Sequence, residues 1–154
     1  MHERSRYLTG IVTRMGCIIM LTFMSATVVA EDKRTYVELP AMMREHMLSN
    51  MRDHLRALQI ITRQLANGKY DKAADIAEHR LGMSSLESHG ASHMGKFMPK
   101  EMGKIGSNMH RAASRFAVAA RDAAVDGGLE KAFGALSEVM AQCVACHNGY
   151  KIHE

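Results

Sequence analysis

Apolar residues recur along this chain at steps of three and four, the spacing of one face of an α-helix, in four separate stretches. From Pro40 to Ala66 they fall at Met47, Leu48, Met51, Leu55, Leu58, Ile61 and Leu65, with Met51, Leu58 and Leu65 on the centre line. Pro40 suits a first turn, and Asn67-Gly68-Lys69 supplies a stop. A shorter helix is predicted from Tyr70 to about Arg80, with Tyr70, Ala73, Ile76, Ala77 and Leu81 on its strip; the Gly-, Ser- and His-bearing stretch after it breaks the pattern. After Pro99, the stretch from Lys100 to Ala124 places Met102, Ile105, Met109, Ala113, Phe116, Ala120 and Ala123 on one face, and Asp126-Gly127-Gly128 ends it.

The last stretch, Leu129 to Tyr150, carries Leu129, Phe133, Leu136, Met140, Cys143, His147 and Tyr150 at alternating steps of four and three. That heptad seam directs Cys143 and His147 inward, beside Leu136 and Met140, with Cys146 flanking them. Connectors are short at two of the three junctions, so the pattern predicts an all-α fold, an antiparallel four-helix bundle, within one domain over 31–154. Composition agrees: only Pro40 and Pro99 interrupt the chain, aromatics are few, and 14 methionines supply unbranched core filler.

Residues 1–30 read as a signal peptide. Arg4, Arg6 and Arg14 precede an uncharged apolar run from Met15 to Ala30, and Val28-Val29-Ala30 stands before Glu31. That run is short for a bilayer span of ~20 residues, so membrane contact is expected only through an uncleaved signal. Cys17 leaves with it. Losing Arg4, Arg6, Arg14 and Glu3 takes the formal charge from +4 to +2 (17 basic against 15 acidic). No dense basic run alternates with aromatics, so nucleic acid is not an expected partner. A basic rim favours an acidic protein partner.

Cys143-Val144-Ala145-Cys146-His147 is the attachment sequence of a c-type haem. Side chains at i and i+3 share a helical face, so two thioethers can form along one edge of a haem while His147 turns to the iron. A thioredoxin-like redox pair belongs in a βαβ setting that this pattern lacks, and no second Cys pair exists to complete a four-cysteine zinc site. No Ser/His/Asp arrangement or phosphate-cradling glycine loop points to an enzyme. A separate group, His79, His89, His93 and His110, is interleaved with Met83, Met94, Met98 and Met102 and offers imidazole and thioether donors. It reads either as a polar loop or as a metal site. His46 and His54 read as exposed or hydrogen-bonded side chains, with two-histidine iron ligation as the alternative.

With these residues in hand, the chain resembles the class II c-type cytochromes, the cytochrome c-prime family. The resemblance runs from about Pro40 to Tyr150, and its specific motif is the Cys143–His147 run. It implies an exported, periplasmic four-helix bundle carrying one covalent haem c through Cys143 and Cys146, with His147 as proximal iron ligand. It also implies redox partner proteins, with a homodimer among the assemblies to consider. One branch of the family leaves the distal position open and binds small gases; the low-spin branch fills it with a methionine from the first helix and carries electrons. Counting from the opening Pro40, or back from Gly68, brings the distal position to Met51. The family's first-helix arginine, matched to Arg44, points instead to Leu48, with Met47 beside it. Arg44 is then either a solvated charge or a haem-propionate partner. The expected function is single-electron transfer with Met51 and His147 on the iron; the rivals are gas binding at an open site and a His/Met metal-binding protein.

Overall fold

The computed structural model describes residues 31–153, and helix dominates them. Five α-helices follow in order: α1 (Ala41–Ala66), α2 (Tyr70–Arg80), α3 (Ala91–Met94), α4 (Lys100–Asp126) and α5 (Leu129–Gly149). A single 3₁₀ turn, Met83–Ser85, lies between α2 and α3. The described residues hold two strands of two residues each, β1 (Thr35–Tyr36) and β2 (Tyr150–Lys151). The fold is all-α. The signal-peptide reading of 1–30 lies outside the described residues.

The two prolines act as expected, one position earlier than a first helical turn. Pro40 and Pro99 are the capping residues of α1 and α4, with φ −51° and −52°, and their carbonyls accept the first helical bonds from Arg44 N–H (2.9 Å) and Gly103 N–H (3.0 Å). Proline lacks the donor that a helix start leaves unpaired anyway. Gly127 closes α4 in the left-handed region at φ +75°, where its N–H reaches Ala123 O; a side chain there would be strained. The connector after α2 is more structured than its composition suggests, since one 3₁₀ turn and α3 fold back within it.

Close helix packing runs α1 on α2, α2 on α4 and α4 on α5. The main core uses small residues at these crossings: Ala57 on α1, Ala73, Ala74 and Ala77 on α2, Ala113, Ala117 and Ala120 on α4, and Ala132 on α5 are all fully buried. Phe116 is the largest side chain inside. The α1/α5 pair has no comparable backbone approach. Those two helices meet at one end, where β1 pairs in parallel with β2 (Thr35 with Tyr150, Tyr36 with Lys151) and Val37 N–H donates to Lys151 O at 2.8 Å. The entry to α1 therefore lies beside the exit from α5.

This one-sided packing rotates the buried faces away from the predicted centre lines. On α1 the buried residues are Met47, His54, Ala57, Ile61 and Leu65, while Met51 and Leu58 are half-buried and Leu55 is 71% exposed. On α5 they are Ala132, Leu136 and Val139; Phe133 and Met140, expected inside, are 45% and 43% exposed. Each helix buries the arc that meets its neighbour, α2 or α4, and leaves other apolar positions uncovered. The four-and-three pattern marks a broader apolar arc than one contact consumes.

Replacing Phe116 by Ala should cost about 3–5 kcal/mol of unfolding free energy, because the surrounding alanines cannot collapse into the space. Val125→Ala, at a site 91% exposed, should change it by less than ~0.5 kcal/mol. Urea unfolding of the two variants checks both.

Candidate functional site

Cys143 and Cys146 sit on the last turns of α5 as free, half-buried thiols, and His147 beside them is exposed. Cys143 packs against the main core, and its thiol lies 3.7 Å from Val139 O, one turn back. Cys146 packs instead into a second cluster built on Val37, Leu39, Met47, Met94 and Met102, which also takes in Met43, Met51 and Met98. The N-terminal half of α1 is thus brought to the Cys-x-x-Cys-His end of α5. Both Met47 and Met51 belong to this cluster, Met47 buried and Met51 at its half-buried margin.

Burial pushes both thiols above their ordinary range, and at Cys146 the neighbouring Cys143 adds to the effect. Thiol–disulfide catalysis needs the reverse, a thiol stabilised as thiolate. The pair is built to stay neutral, on one edge of an apolar face. His147 does not point inward with Leu136 as the heptad reading expects: it continues the exposed side of α5, in line with Phe133, Met140 and Val144. The corresponding side of α1 carries half-buried Arg44, Leu48 and Met51 and exposed Leu55, at steps of four, three and four. Scattered exposed apolar residues are ordinary, but these are aligned along the two helices that are not packed together. The arrangement sets two thiols and an exposed imidazole at the end of α5 beside the thioethers of α1, a donor set and apolar surroundings that suit a large apolar group.

The histidines regroup. His79 binds the carbonyl of Asp75 within its own helix (Nδ1 to O 2.9 Å), and exposed His93 contacts Ser92. Neither joins His89 and His110. Their companion is His54, which is buried rather than exposed, with a ring nitrogen, Nε2, that has no hydrogen-bond partner. The signal for this lay in the spacing: His54 stands seven residues after Met47 and seven before Ile61, on the buried line of α1. His46 has a separate task, donating through Nε2 to His89 O at 2.9 Å. Burial, with the nearby His89 and His110, holds the His54 pKa down to about 4 from an ordinary 6.5, and burial with His110 lowers that of His89 as well. Beside them Asp53 is ion-paired with Arg80 of α2, and the Arg80 hydrogen bond holds its carboxyl below the usual range.

A histidine whose pKa is lowered on folding binds its proton more readily in the unfolded chain. Its contribution to stability is complete above about pH 6.5 and is lost as pH falls toward about 4. Urea midpoints of the metal-free protein across that window should fall with pH, and His54→Leu should flatten the slope.

No protein-family model, curated protein or solved structure matches this chain.

Proposed function

We propose that the chain is an exported class II c-type cytochrome, a four-helix bundle of α1, α2, α4 and α5 that carries single electrons through one covalent haem. The observation that carries this reading is the meeting of Cys146 with Met47 and Met51 in one cluster, at the end of two helices that do not pack closely on each other and that each leave apolar side chains exposed. The residues present fit a haem. Cys143 and Cys146 are free, neutral and one helical turn apart, as two thioether attachments require, and His147 adjoins them without being committed to the core. Bound there, the group would supply a ferrous/ferric couple.

The chain's own residues set the conditions for that couple. Phe133, Met140 and Val144 on α5, with Leu48 and Leu55 on α1, are the exposed or half-buried apolar side chains that would exclude water from a bound haem. A dry site and a thioether ligand both favour the ferrous state, since burial disfavours the extra positive charge of the ferric one. Met51 is the methionine that would hold the iron in this reading, because it stands at the half-buried margin of the cluster on the same side of α1 as Leu48 and Leu55, whereas Met47 is buried in the cluster. Half-buried Arg44 begins the same arc, one turn before Leu48, and suits a propionate. Partners are redox proteins reached from the periplasm, and the mild net positive charge of the exported part favours acidic ones.

The pyridine haemochrome of the purified protein should report one haem that acidified organic solvent does not extract. Met51→Ala alone should lose the sulfur-to-iron charge-transfer band of the ferric protein and gain rapid carbon monoxide binding; Met47→Ala should keep the band. If Met47→Ala loses it instead, the ligand lies one turn earlier. If the wild-type protein is already five-coordinate and binds the gas freely, the distal site is open at Leu48 and the gas-binding reading replaces electron transfer.

A further inference from the structure

Three imidazoles from three different elements meet inside the protein: His54 of α1, His110 of α4, and His89 of the connector before α3. Their ring centroids lie 4.7 Å (His54–His89), 5.3 Å (His89–His110) and 6.3 Å (His54–His110) apart. Rings that share a tetrahedral ion, each nitrogen at ~2.0–2.1 Å, have centroids about 5 Å apart, so the separations bracket that spacing. Among the described residues no three His, Cys, Asp or Glu side chains stand, as placed, where they could hold a metal ion. Convergence requires side-chain rotation, and half-buried His89, on an irregular connector, is the ring freest to make it.

The hydrogen bonds leave the same nitrogen open on each ring. His110 Nδ1–H donates to Leu81 O at 2.7 Å, which leaves its Nε2 as the lone-pair atom. Ser85 gives its hydroxyl hydrogen to Gly82 O at 2.7 Å, so its oxygen, 3.4 Å from His89 Nδ1, accepts from that ring and leaves the Nε2 of His89 open. His54 is nine-tenths buried, and its Nε2 has no partner at all. A carbonyl or hydroxyl on the far nitrogen is what holds metal-bound histidines in orientation. The connector is held in turn: His46 Nε2 and Asn50 Nδ2 both reach His89 O, at 2.9 and 3.2 Å. Gly90 turns the chain at φ +63°, where a Cβ would come within 3.0 Å of His46 Nε2.

We propose that His54, His89 and His110 form a site for a divalent first-row ion of the Zn²⁺ type, held by three neutral Nε2 atoms with a fourth position open. Neutral imidazoles, with the carboxylate of nearby Asp53 committed to Arg80, disfavour Ca²⁺ and Mg²⁺, which take oxygen ligands. The site uses none of Cys143, Cys146, His147, Met47 or Met51, so it stands independently of the haem reading.

The test is calorimetric titration of Zn²⁺ into the full-length, chelator-stripped protein at neutral pH, with any free thiols first blocked by iodoacetamide. Thermal unfolding is followed in parallel by circular dichroism. Saturable binding of one Zn²⁺ per chain is expected, with a Tm that rises with Zn²⁺ concentration. His89→Ala should weaken binding by more than about tenfold, the lower range for losing even an outer partner of a metal ligand, while His79→Ala and His93→Ala bind as the wild type does. The proposal is overturned by a wild-type Tm indifferent to Zn²⁺, a measurement that needs no variant to fold. Undiminished binding by His89→Ala overturns it too, as does binding that disappears with His79 or His93.

Discussion

Backbone-close packing on the alanine face of α4 is the constraint from which the rest of the structure follows. Ala113, Ala117 and Ala120 put no bulk between α4 and its neighbours, so α2 and α5 approach it closely and Phe116 fills the space that remains. Each outer helix is then fixed by one inner neighbour, α1 by α2 and α5 by α4. Nothing of comparable intimacy joins α1 to α5 except at the β1–β2 end. That α1 and α5 stand without close packing between them is thus a product of where the small residues are. Bulkier residues on the face of α4 that meets α5 would push α5 outward without touching Cys143, Cys146 or His147.

The interior divides into two materials. The alanine core is rigid, since small side chains have no rotamers to exchange and larger ones have no room. The cluster around Met47, Met94 and Met102 is the opposite, a set of unbranched thioethers that repack readily. With the adaptable cluster beside Cys146 and the rigid core beyond Cys143, the proposed haem would be accommodated by repacking at the end of the molecule while the helix crossings stay fixed.

Helix boundaries were legible because they depend on local signals. The reading of Tyr70 to Arg80 matches α2, the prolines mark the starts of α1 and α4, and Gly127 marks an end. The rotation of the buried faces was not legible. Periodicity reports that Phe133 and Met140 belong to an apolar arc, but whether that arc meets a helix is settled by a neighbour distant in sequence. His54 was missed for a related reason: a histidine on a helix is counted polar, although its heptad relation to Met47 and Ile61 places it on the buried line. Grouping His79 and His93 with His89 relied on closeness in sequence, and the left-handed turn at Gly90 and the separate course of α2 undo that closeness.

The imidazoles lie along α1 between the two materials, His54 coming after Met51 of the methionine cluster and before Ala57 of the alanine core. An all-apolar junction there would let the connector slide against α1, since methionine and alanine surfaces distinguish register poorly. Polar groups with fixed donors do not permit this. The bonds from His46 and Asn50 to one carbonyl, and from His110 to Leu81 O, are each lost by a shift of one residue, and a buried group that loses its partner costs about 1–3 kcal/mol. Register along α1 in turn decides which methionine stands beside Cys146. His46 and Asn50, which tie α1 to the connector, therefore act on the thioether end of the protein through the position of α1, whether or not an ion occupies the three imidazoles.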